Sequence, residues 1–245
     1  MVETLHLLAA GSLKEPLGGI APVAGYRIAA RFGPSGLLRA EIFAGAPWHV
    51  FISADKGHPA AIAEAGLGAS PQHFCHNQLC LIVPDRFEDA DPVALIQRAD
   101  LRLGISTPGN DPSGDYAMAI LRRLDARSPD GDAALRALAL TGAPDSPVTP
   151  SDRNPYAWLI TQHMADLFLT YRSNAIAARA DTPSLHMLAL PRHLSVLASY
   201  ALTFRPDVAE AQELAEALLS EEIQTRLAAY GFEPVGNIAE EGTRP

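Results

Sequence analysis

LHLLAAGSLKEPLGGI, residues 5–20, reads as a short buried strand, Leu5–Ala10, then Gly11, then a helix opening at Ser12. Gly11 permits a tight turn where a side chain would obstruct close backbone approach. Ser12 is a natural N-cap, and Pro16 falls in or near the first turn, where proline is tolerated. A strand, a small-residue turn and a helix N-terminus leave free N–H groups aimed at one point, with the positive end of the helix dipole behind them. That is a ready anion site. One copy is ordinary in an α/β protein, but this chain has four candidate turns: AAGSL with Ser12, GPSG with Ser35, DPSG with Ser113, and the strand end YRSNA with Tyr171 and Ser173. A single serine or tyrosine in such a turn is usually a satisfied cap; four in series favour a shared task. Only Arg172 brings a cation into these turns, and no GxGxxG or Walker sequence is present, so neutral donors on a small anion are expected in place of a nucleotide site.

Outward from this stretch the chain alternates. Tyr26–Arg31 reads as a strand, Leu37–Ala44 as a helix, His49–Ser53 as a strand buried on both faces, Lys56–Ala65 as a helix and Leu79–Val83 as a strand stopped by Pro84. The second block gives a strand at Leu101–Ile105 and helices at Gly114–Leu124, Ala133–Leu140 and Tyr156–Met164. It continues with strands at Asp166–Tyr171, Leu185–Leu190 and Ser195–Phe204 and one amphipathic helix at Val208–Ala229. The first helix is expected to run from Leu13 to about Val23, and the tail EEGTRP to be disordered. Strands alternating with helices argue a parallel-sheet α/β architecture, with ligands outside the carboxyl ends of the strands.

At 245 residues the chain is long enough for one large domain or two smaller lobes, and 48% hydrophobic with 19% charged residues is a globular composition. A formal charge of −9 argues against a nucleic-acid partner and leaves any bound anion to local dipoles. No apolar run reaches the roughly 18 residues of a membrane helix. MVETLHLL lacks a basic segment followed by a long apolar one, so the chain reads either as cytosolic or as a protein whose leader has been removed. Cys75 and Cys80, with His73 and His76 nearby, offer a soft-metal site on paper. Cys80 fits better as a small core residue of a buried strand, because no second Cys/His cluster completes a shell, and nothing in the spacing demands a disulfide.

GAPWHVFISAD, residues 45–55, resembles the GAP-x-x-x-FISAD hallmark of the periplasmic molybdate-binding proteins of ABC importers. AAGSL and GPSGLLRAEIFAG are similar to that family's first and second oxyanion turns. NQLCLIVP resembles its strand into the second lobe, DPSGDYA its small-residue turn before a helix, YRSNA its tyrosine-bearing strand end, and LAAYGFEPV its closing YGF. These motifs run through nearly the whole chain in order.

The resemblance implies a two-lobed periplasmic-binding-protein fold of type II, each lobe a mixed, mainly parallel sheet flanked by helices. Lobe one would be 1–83 plus 190–245 and lobe two 84–189, with hinges near Pro84 and Pro191. It implies a monomeric, non-enzymatic, periplasmic protein that holds molybdate or tungstate between the lobes and hands it to an ABC permease, with no cofactor. Carried over by motif, Ser12 and Ser35 donate from lobe one, and Ser113 and Tyr171 from lobe two. Ser113 stands where the family often has alanine. The remaining donor is a backbone amide near Asn154–Tyr156. Pro155 has no N–H, so that role falls to Tyr156 or to the Asn154 side chain. The metal is held only as its oxyanion, without direct coordination. Thr170 stands before the strand-end tyrosine, where a related branch places a carboxylate, and Asp111 is expected to cap the helix after Pro112 and point away from the anion.

Two rivals stand beside this reading. A hydrolase could be assembled from Ser12, His49 and Asp55, or with His186 and His193, although GSL is no G-x-S-x-G elbow. An intracellular oxyanion-sensing domain of the same fold fits the missing leader.

Overall fold

The computed structural model describes residues 4–19, 25–128 and 131–234. In chain order it forms β1 (Thr4–Ala10), a 3-10 turn (Gly11–Leu13), α1 (Lys14–Leu17), β2 (Arg27–Gly33), α2 (Ser35–Phe43), β3 (Val50–Ser53), α3 (Gly57–Glu64) and β4 (Gln72–Pro84). A second 3-10 turn (Asp85–Phe87) leads to α4 (Pro92–Gln97), β5 (Leu103–Ser106), α5 (Pro112–Asp125), α6 (Ala133–Arg136), β6 (Leu138–Thr141) and α7 (Pro155–Thr161). The chain ends with β7 (Leu167–Tyr171), α8 (Arg172–Asp181), β8 (Leu185–Ala189), β9 (Leu197–Phe204), α9 (Ala209–Leu218), α10 (Glu221–Ala229) and β10 (Glu233–Pro234).

These elements gather into two compact units. The first takes residues up to Phe32, Arg39–Asn77 and the chain from Ser199 onward; the second takes Gly33–Leu38 and Gln78–Ala198. In the first, β1 lies parallel to β3 (Leu7 opposite Val50), β3 lies antiparallel to β9 (Val50 opposite Phe204), and β10 pairs antiparallel with the start of β4. Continuous apolar runs put Leu7, Leu8, Val50, Phe51, Ile52 and Leu202 in its core, as strands covered on both faces require. Leu214, Leu218 and Leu227 are buried there as well.

In the second unit the strand order is β4–β7–β5–β6. β5 is parallel to both β6 and β7, and β4 returns antiparallel against β7 and β8. All four residues of β5 and all five of β7 are buried. α5 buries Ala117, Ile120, Leu121 and Leu124, the i, i+3, i+4, i+7 stripe of a core-facing helix. Ala157, Ile160, Phe168, Ala175 and Ala178 pack with Cys80 and Ile82 into one cluster.

Several local expectations are corrected. The segment after Gly11 is a 3-10 turn and a single α-turn ended at Gly18, whose N–H bonds the Lys14 carbonyl at 2.7 Å. Ser12 lies inside that turn and does not cap a helix; Ala10 holds the cap position. Residues 20–23 of the expected helix, and the tail, lie outside the described residues. The helix expected over Ala133–Leu140 is one turn, after which Leu138–Thr141 joins the sheet beside β5; the parallel pairing outweighs a local alanine–leucine pattern that suits a helix. YRSNA, expected as a strand end, continues into the helix α8. The helix expected over Val208–Ala229 is broken at Leu219–Ser220 into α9 and α10.

Candidate functional site

Three hydroxyls stand at the carboxyl ends of the parallel strands of the second unit: Thr141 on β6, Ser106 on β5 and Thr170 on β7. Ser106 Oγ and Thr141 Oγ1 are 2.9 Å apart, and both the N–H and the hydroxyl of Thr107 donate to the Thr141 carbonyl at 2.8 Å. The chain then turns through residues 107–111 into α5. The turn is closed by the Asp111 N–H on the Thr107 carbonyl (3.0 Å) and by the Gly109 N–H on Asp115 Oδ1 (2.9 Å). α5 starts so close to the end of β5 that a Cβ at Gly114 would lie 2.3 Å from the Ser106 carbonyl oxygen, so only glycine fits.

Ser113 sits in the first turn of α5 and is 1% exposed. Its hydroxyl lies 3.5 Å from Thr170 Oγ1, while its N–H donates to Asp111 Oδ1 at 3.0 Å. Asp111 is therefore the N-cap, as expected, and it also bonds the Ser106 hydroxyl. Burial pushes its carboxyl up to about 6 against the lowering effect of those two bonds, with the Asp115 charge adding to the rise.

Asn174, on the first turn of α8, ties the other side together. Its Nδ2 donates to Thr170 Oγ1 at 2.9 Å and to the Tyr156 hydroxyl oxygen at 2.8 Å. Burial, followed by the Asp111 charge, pushes the titration of the Tyr156 hydroxyl upward against the lowering effect of the nearby Thr170, Ser106 and Asn174 side chains. The Tyr156 ring packs edge-on against Phe168, 4.9 Å between centroids. The backbone N–H of Tyr156, the donor expected from sequence, is taken by the Asn154 cap: Asn154 Oδ1 accepts from Tyr156 at 3.0 Å and from Ala157 at 3.2 Å. Asn154 and its neighbour Arg153 are anchored on Asp181, which accepts from Arg153 Nε, from Arg153 Nη2 and from the Asn154 N–H at 3.0–3.1 Å. Tyr171, 2% exposed, ends β7 with its ring edge-on to Tyr116, while Arg172 beside it is exposed.

Ser35 opens α2 at 1% exposure. Expected with the first lobe, it is grouped here with the second unit, where the N–H of its neighbour Gly36 donates to the Asn110 carbonyl at 2.8 Å. Ser113 and Tyr156 are thus joined through Thr170 and Asn174. Ser12 belongs to the first unit, where its Oγ lies 2.8 Å from the hydroxyl of Tyr200. Tyr200 is fully buried, with its ring edge-on to Phe232 of the YGF segment.

Ser106, Thr141, Asn174 and Tyr200 escaped sequence reading. Hydroxyls at the ends of β5 and β6 were a usable signal once those strands were placed. The roles of Asn174 and Tyr200 depend on folding, since Tyr200 is 188 residues from Ser12.

The residues of the hydrolase reading have other partners. His49 Nδ1 accepts from the His6 N–H at 2.8 Å, Asp55 Oδ1 accepts from the His58 N–H at 2.8 Å, and His186 Nε2 lies 2.6 Å from Asp85. Cys75 and Cys80 are free thiols, both buried. Cys75 lies in the first unit and Cys80 in the second. Burial pushes Cys80 up to about 12 and Cys75 well above its ordinary value, so neither presents a thiolate. His73 and His76 lie ring to ring at 4.1 Å, and burial, helped by His73 and Lys56, lowers His76 to about 4.

A sequence profile described as bacterial extracellular solute-binding protein matches residues 5–233. An uncharacterised protein of Pasteurella multocida is 35% identical over 224 residues, covering 88% of this chain and 92% of that one. The molybdate-binding protein of Rhodobacter capsulatus is 29% identical over 102 residues, 41% of this chain and 40% of its own. Among solved structures, the periplasmic molybdate-binding protein of Azotobacter vinelandii superposes with a TM-score of 0.72 at 19% identity, covering 93% of this chain and 98% of that one. The sulfate-binding protein of Mycobacterium tuberculosis gives 0.74 at 12% identity, covering 96% and 88%. The shared architecture is the type II periplasmic-binding-protein fold, a mixed α/β sheet with flanking helices.

Proposed function

Because the chain belongs to the bacterial extracellular solute-binding proteins, we propose that it is a periplasmic carrier that binds molybdate, and tungstate as its near-equal in size and charge, for delivery to an ABC importer. Its activity is binding and release, with no catalytic step. The donors are Ser12 of the first unit and Ser35, Ser113, Tyr156 and Tyr171 of the second.

The observation that carries this reading is the polar cluster at the ends of β5, β6 and β7. It joins Ser113, Thr170, Asn174 and Tyr156 by hydrogen bonds beside the bonded pair Ser106–Thr141, with no lysine or arginine among them. Hydroxyls and amides fixed on strand ends and helix starts suit a tetrahedral dianion that must be released again. Fixed donors also sort by size, because a smaller sulfate leaves some of them desolvated and unbonded. The name of the Rhodobacter relative, 29% identical over 102 residues, supports molybdate as the ligand.

Ligand-induced thermal shift tests the proposal. A ligand at one hundred times its Kd adds about 2.7 kcal/mol, which for a chain of this size is a rise of roughly 5–11 °C. Molybdate and tungstate are expected to give such shifts at concentrations where sulfate and phosphate give little. Equal shifts from all four anions would defeat the selectivity claim.

A further inference from the structure

The second unit places one carboxyl inside its polar cluster, and none of the donors proposed above explains it. Asp111 accepts the Ser113 backbone N–H, and the Ser106 hydroxyl beside it lowers its titration. It therefore occupies the start of α5, where an anion would otherwise find an amide. The titratable groups that face it are Asp115 from α5 and Tyr156 from α7; β5 and β6 contribute the neutral Ser106 and Thr141. None of these groups is a cation that could offset a carboxylate and a dianion held together.

We propose that Asp111 is the affinity-setting acid of this site: it takes up one proton from solvent as the dianion binds, and so couples oxyanion binding to pH. This rests on the reading of the site given above. A second negative charge beside a half-buried carboxylate favours neutralising one of them, and molybdate remains a dianion near neutral pH, so the carboxyl is the group that changes. The neutral acid keeps its carbonyl oxygen for the Ser113 amide and gains an O–H donor, the one form that suits both neighbours. In the free protein burial already holds the group near 6, so a modest further rise on binding carries it through neutral pH. The sign follows from linkage: a group whose titration point rises on binding makes binding tighter at low pH and weaker as pH climbs between the free and bound values.

Titration calorimetry with molybdate at pH 6, 7 and 8, each in two buffers of different ionisation enthalpy, tests the proposal. Wild type is expected to take up a fraction of a proton per molybdate at pH 7, larger the further the bound group shifts and, for a modest shift, smaller again at pH 8. Its affinity should fall by about fivefold to fiftyfold from pH 6 to pH 8, depending on how far the bound group shifts. Asp111→Asn keeps a good cap; it should bind without proton uptake, with affinity flat over this range and above wild type at pH 8. Normal wild-type binding with no proton uptake and no pH dependence would overturn the coupling while leaving molybdate as the ligand. Absence of molybdate heat in wild type would overturn the ligand reading and the coupling together. Tighter binding of phosphate than molybdate at pH 8 would reassign the carboxylate as acceptor of the ligand's own proton, and overturn both.

Discussion

Asp181→Asn should loosen the segment that leads into α7. The wild-type carboxylate accepts two bonds from Arg153 Nε and Nη2 at 3.1 and 3.0 Å, one from the Asn154 N–H at 3.1 Å and one from the Thr182 hydroxyl at 2.8 Å. These bonds, led by that from Arg153, hold its titration down to about 2. Against an unfolded value near 3.9, a shift of about 1.9 units corresponds to roughly 2.6 kcal/mol. Arg153 is 35% exposed and Asp181 13%, so solvent screening reduces this to about 1–2 kcal/mol. For a chain of this size that is roughly 2–8 °C in Tm at pH 7. Because the folded value lies below the unfolded one, the contribution is complete above pH 4 and is lost as pH falls toward 2. Thermal melts of wild type and variant at pH 7, 4 and 2.5 should show the gap closing with acid. Equal melting at pH 7, or a gap undiminished near pH 2, would refute this account of the Arg153–Asn154–Asp181 anchor.

Ser12→Ala and Ser113→Ala should each weaken molybdate binding by about 1.5–3 kcal/mol, the range for a hydrogen bond to a charged group, and should also lower the ligand-free melt, because the buried Tyr200 and Thr170 hydroxyls lose a partner. Calorimetry that finds both affinities unchanged would place the anion elsewhere. Gly114→Ala forces its Cβ to 2.3 Å from the Ser106 carbonyl oxygen; it should cost about 1–3 kcal/mol of stability and weaken binding by shifting the start of α5. A normal melt would contradict that packing. The Cys75→Ser, Cys80→Ser double variant should bind molybdate at wild-type affinity while melting lower, because two hydroxyls replace buried thiols. Loss of binding in a folded variant would revive the soft-metal reading.

Sequence reading reached the buried strands, the hydroxyl-bearing turns and the Asp111 cap because each is a local signal of a few residues. It failed where distant chain decides. ALRALAL fits a helical period, yet Leu138–Thr141 becomes a strand because β5 offers it a parallel edge, with Gly104 opposite Leu138. RSNAIAARA was read for the tyrosine before it, so α8 and the role of Asn174 went unseen. The serine of AAGSL looked like a cap; in the fold it is held by Tyr200 from the far end of the chain. At Asn154–Tyr156 the local cap takes up the Tyr156 amide, while the Tyr156 phenol oxygen accepts from Asn174, a contact that only the folded chain brings about.

Direct titration of the ligand-free protein with molybdate in the presence of excess sulfate tests the central claim most directly. One molybdate per chain is predicted, at an affinity that sulfate barely alters. No molybdate binding, or displacement of molybdate by sulfate at comparable concentration, would contradict the account.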